Sequence, residues 1–508
     1  MTDFEFVNVA APGDVKRHLT KIRRHVMKDI GKARRKPRTK NRTEVILGEA
    51  SSNATANRDE AEGSGASQAL SLPSPKMDST LHNLAYPTDM DESRMTLVRY
   101  IADESRSTYR PFRFPWLSMG LSDAAAWNIT LANAVLYRGV KPGQKKPEFN
   151  SNDEAMKWYT LSLTSIVKRL ADPAEDNSEG LVIAVTGFVC HDSSIGNFDR
   201  YSVHMEGLQR IVDKKGGIET LSSPFLRMMI SWLDLAGATY FNAKPRFNVP
   251  KDFIKQIDAG NDSQYLQHLL QSWDAGCPSL GDIMSAMKAT AAVASYFNRH
   301  CDSPNFWRDD MTIARVLSPA FHEILCLEGR PLPSDPSDPQ YSGTAAREAF
   351  RRAALVFLAA IKIRMGAEAY EMEKHLEAFR QISQLPLVDW GMVAELNLWA
   401  HIISATQEES PNRAWHVLTI VGIMESIGLQ TGRQAIDIAR GIIWIEVIDA
   451  GKSDSLCREI DNYLEAMLVQ CPEGLPVDPH LDAFSENIDE YVITTKTWYY
   501  GVIPTIES

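Results

Sequence analysis

The sharpest candidate for enzyme chemistry in this chain of 508 residues is FHEILC, with His322, Glu323 and Cys326. On a helix His322 and Cys326 share a face, so they could grip zinc with Glu323 as a general base, one histidine short of His-Glu-x-x-His. A catalytic zinc asks for three protein ligands and an open position, and no third ligand accompanies this pair in sequence. His191 and Asp192 resemble the pairs of metal-dependent phosphohydrolases. No second histidine-bearing element with a suitable acid goes with them, so a helix-end pair bonded to backbone is the competing reading. Trp232 and Asp234 stand two residues apart, which on a helix sends Trp232 inward and Asp234 to a flank, against a basic or backbone donor. Asp234 then serves as a structural acceptor or as one wall of a ligand pocket. His204 has the same two readings, a satisfied core histidine or a ligand. No phosphate-cradling glycine loop, dinucleotide fingerprint or Gly-x-Ser-x-Gly elbow occurs. The expectation is a protein that is not an enzyme, with no catalytic residue, no metal and no cofactor.

Six cysteines, Cys190, Cys277, Cys301, Cys326, Cys457 and Cys471, invite a zinc-cluster reading. Their spacing refuses it, because a binuclear cluster needs close Cys-x-x-Cys pairs so that one short loop wraps both metals. Reduced thiols in an intracellular protein fit the same count.

The net charge of −11 conceals an asymmetry. Residues 16–42 hold 13 lysines and arginines against one acid, Asp29, a local +12 that leaves −23 for the remainder. Any polyanion would meet this arm first. Over 13–35 the arm has helical period, with Val15, Leu19, Ile22, Val26 and Ile30 on one stripe. Its basic residues Arg23, Arg24, Lys32, Arg34, Arg35, Lys36, Arg38 and Lys40 are candidates for nuclear import or for nucleic-acid contact. Contact through phosphates alone would be salt-dependent and largely blind to sequence. A solvated basic helix with no partner is the alternative, and Asp3, Glu5 and the scarcity of serine argue against a transit peptide.

With 44% hydrophobic and 23% charged residues, the composition is that of a soluble globular protein. No apolar run reaches the roughly 18 residues of a membrane span. No secretory leader is visible. Composition then divides the chain. Residues 1–48 form the arm, and 49–94, rich in Ser, Ala, Gly and acids, read as a disordered linker. Residues 95–330 and 344–471 are two halves of a helical body, separated by the proline-bearing break 329–343. An acidic tail, 472–508, ends in Trp498, Tyr499 and Tyr500.

Alternating patterns are scarce and helical ones dominate, which predicts an all-α fold of packed helical hairpins in an irregular bundle or solenoid-like array. A helix over 153–170 should turn Met156, Tyr159, Leu163, Ile166 and Leu170 inward. Residues 181–191 are apolar on nearly every side and belong in a core. The next helix carries Tyr201, His204, Leu208, Ile211 and Val212, and ends at Lys214, Lys215, Gly216 and Gly217. A third opens at Ser222 or Ser223 with Pro224 in its first turn. Later helices are expected over 261–273, 283–297, 345–365, 391–406, 411–427 and 431–448, with Met392, Leu396, Trp399 and Ile403 as the stripe of the 391–406 segment.

HMEGLQRIVDKKGGIETL, followed by PFLRMMISWLDLAGA and KPRF, resembles the central signature of the fungal-specific transcription factor domain family. In that family a His-x-x-Gly-Leu and Gly-Gly corner precedes a helix with Trp and Asp two residues apart. The matching positions here are His204, Gly207, Leu208, Gly216, Gly217, Trp232 and Asp234. AALVFLAAIKIRMG, LNLWAHIISA and ARGIIWIEVIDA are similar to later parts of the domain, so the resemblance runs from about Leu97 to Ala450. It implies a nuclear, all-α regulatory region that controls activity, mediates protein contacts and senses small metabolites. In the family a binuclear zinc cluster usually precedes that region. Without one, regulation would run through partners such as the transcriptional machinery or a DNA-binding protein, or through the arm with low selectivity. A helical scaffold that has lost transcriptional function and a metal-dependent enzyme are the alternatives.

Overall fold

The computed structural model describes residues 81–103, 112–139, 152–171, 178–253, 264–303, 305–385, 390–449 and 451–470. Every regular element among them is helical and none is a strand. The readings made above for the arm, for residues 49–80 of the linker and for the tail lie outside the described residues. The end of the predicted linker is structured. Leu81 is buried, the Tyr86 hydroxyl donates to its carbonyl at 2.7 Å, and Tyr86 lies 5.3 Å from the Trp127 ring. Two apolar anchors thus hold a segment whose average composition is polar.

The described residues gather into two compact units, one ending at Leu221 and the other taking in Phe112 and everything from Ser222. This division falls between the Gly216–Gly217 corner and the helix that Pro224 opens. The break at 329–343 lies within the second unit and is tied down there: the Arg330 amide donates to Glu348 at 2.9 Å, and its guanidinium reaches Asp282 at 2.6 Å.

The first unit contains α1 (Glu92–Ala102), α2 (Arg113–Gly120), α3 (Ala124–Arg138), α4 (Asp153–Leu170), α5 (Glu179–Ser194) and α6 (Phe198–Lys214). Side-chain oxygens of Asp91, Asp123, Asn152, Ser178 and Asn197 accept amide N–H groups at the starts of α1, α3, α4, α5 and α6, each cap contributing about 1 kcal/mol. Helix α3 packs on α4 and α5, and α5 on α6, so sequential helices form hairpins. As its all-round apolarity predicted, α5 is buried along most of its length. It approaches α3 closely because Gly187 has no side chain: a Cβ there would lie 2.5 Å from Ile129. After α6, Gly216 and Gly217 take φ of +96° and +101°, a turn that only glycine enters without strain. The reading of α4 needs correction. Its bounds agree, and Tyr159 and Ile166 are buried, but Met156, Leu163 and Leu170 are exposed. The helix has two apolar stripes, and periodicity alone could not say which one faces the core.

The second unit contains α7 (Pro224–Phe241), α8 (Gln264–Gly276), α9 (Met284–His300), α10 (Asp310–Cys326), α11 (Tyr341–Arg364), α12 (Met372–Ser383), α13 (Ala394–Ala405), α14 (Asn412–Ser426), α15 (Gly432–Ile442), α16 (Glu446–Asp449) and α17 (Lys452–Gln470). Ser223 caps α7 and Pro224 opens it, as predicted. Helix α11 is the centre of this unit, packing on α10, α12 and α13, with Phe350, Ala354, Phe357 and Ile361 buried. It begins at Tyr341, not at residue 345. Met392 is exposed and precedes α13, while Leu396, Trp399 and Ile403 are buried as expected. The helix predicted over 431–448 breaks between α15 and α16. Ile443 there is extended, with φ −147° and ψ 116°, and its carbonyl accepts the Trp399 indole N–H at 2.8 Å. No described helix is long and apolar enough to cross a membrane. Cys190, Cys277, Cys301, Cys326 and Cys457 are free thiols.

Candidate functional site

In the first unit a buried polar cluster gathers around the end of α5. Asp192 is fully buried and accepts from Arg200 Nε at 2.7 Å and from the same guanidinium's Nη2. His204, one turn further along α6, sets its Nε2 3.5 Å from Asp192 Oδ2 and 3.2 Å from the Tyr159 hydroxyl. The Arg200 guanidinium lies 5.0 Å over the Tyr159 ring. His191 Nδ1 meets Asn133 Oδ1 at 2.7 Å, and its ring is 4.9 Å from that of Tyr159. His191 and Asp192 are therefore held by side chains of α3 and α6, which corrects the reading of a helix-end pair bonded to backbone.

The cluster's electrostatics follow from burial. Desolvation, followed by the nearby Arg200 charge, holds His204 down to about 4. The same causes, with His204 added, hold His191 down to about 3. Desolvation raises Asp192 to about 6 against the opposing pull of Arg200. At neutral pH the site is thus an ionised Asp192–Arg200 pair flanked by two neutral imidazoles. Such a set joins four helices through directional bonds and leaves no activated nucleophile among its members.

In the second unit Asp234, 1% exposed, holds the segment that follows its own helix and folds back beside it. Its Oδ2 accepts the backbone N–H of Arg246 at 2.6 Å and of Phe247 at 2.9 Å, while Arg246 Nη1 lies 3.5 Å from Oδ1. Desolvation raises this carboxyl to about 6 even so. One side chain thereby fastens the KPRF turn back onto α7. Trp232 is buried and meets Phe112 edge-on at 6.1 Å. A small depression is lined by Trp232, Leu235, Ala236, Thr239, Phe321 and Lys362, far too small to enclose a drug-sized ligand. The Lys362 ammonium is already bound by buried Glu371.

Three further ionic groups in the second unit have no counterpart in the sequence reading. Arg347, buried within α11, holds Asp282 at 2.8 Å and also Glu348. Arg352 meets His375 at 3.0 Å, and the other ring nitrogen of His375 meets the Thr239 carbonyl at 3.0 Å. Arg380 binds Glu408, whose Oε2 is 3.2 Å from His416, which in turn meets His401 at 2.9 Å. The available signal was Arg347, Glu348, Arg351, Arg352 and Lys362 inside a 24-residue helix rich in Ala, Leu, Phe and Ile, since buried charges demand partners.

His322 and Cys326 do face each other, with Sγ 3.5 Å from Nδ1. Among the described residues, however, no three His, Cys, Asp or Glu side chains are placed to hold a metal ion. Of the signature residues, His204, Gly207, Leu208, Gly216 and Gly217 belong to the first unit, and Trp232 and Asp234 to the second. Arg23, Arg24, Lys32, Arg34, Arg35, Lys36, Arg38 and Lys40 lie outside the described residues.

Compared with known proteins, residues 99–436 match the family model described as the fungal specific transcription factor domain. No curated protein and no solved structure matches the chain.

Proposed function

Starting from the fact that this chain belongs to the fungal specific transcription factor domain family, we propose that it is a nuclear regulator of transcription that acts through its helical body and through partner proteins. The observation that carries this reading is the family match itself, which runs through both compact units and takes in most of the described helices. The buried clusters support a regulatory rather than a catalytic role, because each charged member is matched by an internal partner instead of being presented to a substrate. The sequence provides no close cysteine pairs for a zinc cluster, so contact with chosen genes falls to a partner protein, with the basic arm adding salt-sensitive affinity for any nucleic acid nearby.

Chromatin mapping of the tagged protein tests the reading. Discrete peaks that vanish when a DNA-binding partner is depleted are the expected result. Absence from chromatin, with unchanged transcripts on deletion, would instead favour a helical scaffold without a transcriptional role. The arm is tested separately. Deleting residues 16–42 is expected to abolish nuclear accumulation of a fluorescent fusion, because Arg34, Arg35, Lys36, Arg38 and Lys40 form the import signal. An unchanged nuclear signal would remove that assignment.

A further inference from the structure

Helix α4 presents an apolar seam to the outside of its unit. Ala155, Trp158, Tyr159, Ser162 and Ile166 point into the core, while Met156, Leu163, Val167 and Leu170 remain 39, 36, 46 and 48% exposed. With exposed Thr160 between them, these positions follow one another at steps of four, three, four and three residues. This is the a/d spacing of a helix that packs along a second helix. A monomer gains nothing by setting four large apolar side chains at that spacing on its surface.

The charges of α4 select the occupant. Its first turn is acidic, Asp153 and Glu154, and its last turn basic, Lys168 and Arg169. Glu154 is held by Arg138 at 2.7 Å and Arg169 by Asp123 at 2.7 Å. Asp153 and Lys168 are exposed at opposite ends of the seam. A second copy of α4 laid antiparallel brings Asp153 of each chain toward Lys168 of the other, at both ends of the contact. A parallel copy sets like charges together. The basic arm finds no acidic surface here, since the exposed Lys157 and Lys168 outweigh Asp153.

The ground beside the seam is also clear. Tyr159, one turn from both Met156 and Leu163, connects to His204 of α6 at 3.2 Å. Gly207, one turn beyond His204, has no atom within 4 Å of the place its Cβ would occupy, and Val203 is 46% exposed. Glycine inside a helix weakens it, and nothing within the fold requires one at 207. A partner helix approaching closely would.

We propose that two copies of this chain associate through antiparallel α4 helices, with Met156 of one copy beside Val167 of the other, Thr160 beside Leu163, and α6 at Gly207 bordering the contact. An 18-residue helix pair falls short of the roughly 800 Å² per partner of a standard interface, so the dimer is reversible and concentration-dependent.

Sedimentation of the full chain over a concentration series is expected to show a monomer–dimer equilibrium. Leu163→Glu combined with Val167→Glu is expected to weaken it roughly 100-fold or more, because charge would have to be buried in the seam. Both sites are exposed in the monomer, so helix content and Tm should be unchanged. Gly207→Leu, whose Cβ enters open space within the fold, is expected to weaken association several-fold without lowering Tm. Mixed Met156→Cys and Val167→Cys chains should form a disulfide with each other faster than Met156→Cys chains do among themselves. A monomer at every concentration, association untouched by the charged pair or by Gly207→Leu, or preferential Met156→Cys self-linking would overturn the proposal.

Discussion

Asp234→Ala is expected to destabilise the second unit by about 3–5 kcal/mol, the largest effect foreseen for any residue of the Trp-x-Asp segment. The substitution strands two amide donors, the part-buried Arg246 N–H and the buried Phe247 N–H, that now share Oδ2 at 2.6 and 2.9 Å. Each buried donor left unpaired costs about 1–3 kcal/mol, and Arg246 also loses the charge 3.5 Å away. Asp234→Asn keeps a carbonyl oxygen that can accept both donors, so its cost should be only about 1–2 kcal/mol. Urea unfolding followed by circular dichroism measures both variants. If Asp234→Ala proved as mild as Asp234→Asn, the carboxylate would not be the fastening of the turn, and a role toward a ligand would regain the ground.

Acidification from pH 7 to pH 5 should destabilise the protein steeply, well before ordinary carboxylates protonate. His191, His375 and His416 are each held down to about 3 and His204 to about 4, in every case chiefly by desolvation. His401 too is lowered well below its ordinary value, chiefly by full burial and then by the neighbouring His416. These five imidazoles take up protons in the unfolded chain below about 6.5 while remaining neutral in the folded one. Their contribution is therefore complete above that pH and is lost as pH falls.

Asp192 and Asp234, raised to about 6, act in the opposite sense. Between about pH 6 and pH 4 they bind protons in the folded state and release them in the unfolded state. Three protons net then favour unfolding over that interval, one in the first unit and two in the second. At about 1.4 kcal/mol per proton per pH unit, stability falls by up to about 4 kcal/mol per unit. Set against a usual stability of about 5–15 kcal/mol, that slope predicts cooperative unfolding before pH 4, with the second unit more sensitive than the first. Thermal melts at pH 7, 6 and 5 measure it. A Tm that holds constant over that range would mean that the histidines are hydrated and titrate normally.

Helix content and many helix ends were legible in the sequence because their causes are local. Caps such as Ser223, the glycine pair after α6 and the 3.6-residue recurrence of apolar side chains each act within a turn or two of chain, and they identified an all-α protein and the family it resembles. Asp234 as an acceptor could be anticipated, since a carboxylate beside a buried tryptophan must find donors.

Tertiary structure alone decided which stripe of α4 faces the core and where the chain divides into units. It also decided which charge meets which: Arg347 finds Asp282 65 residues away, and His191 finds Asn133 58 residues away. The physical reason is the same throughout. A side chain's direction on its own helix follows from the period, but whether that direction ends in water, an apolar wall or an opposite charge depends on what distant segments bring there.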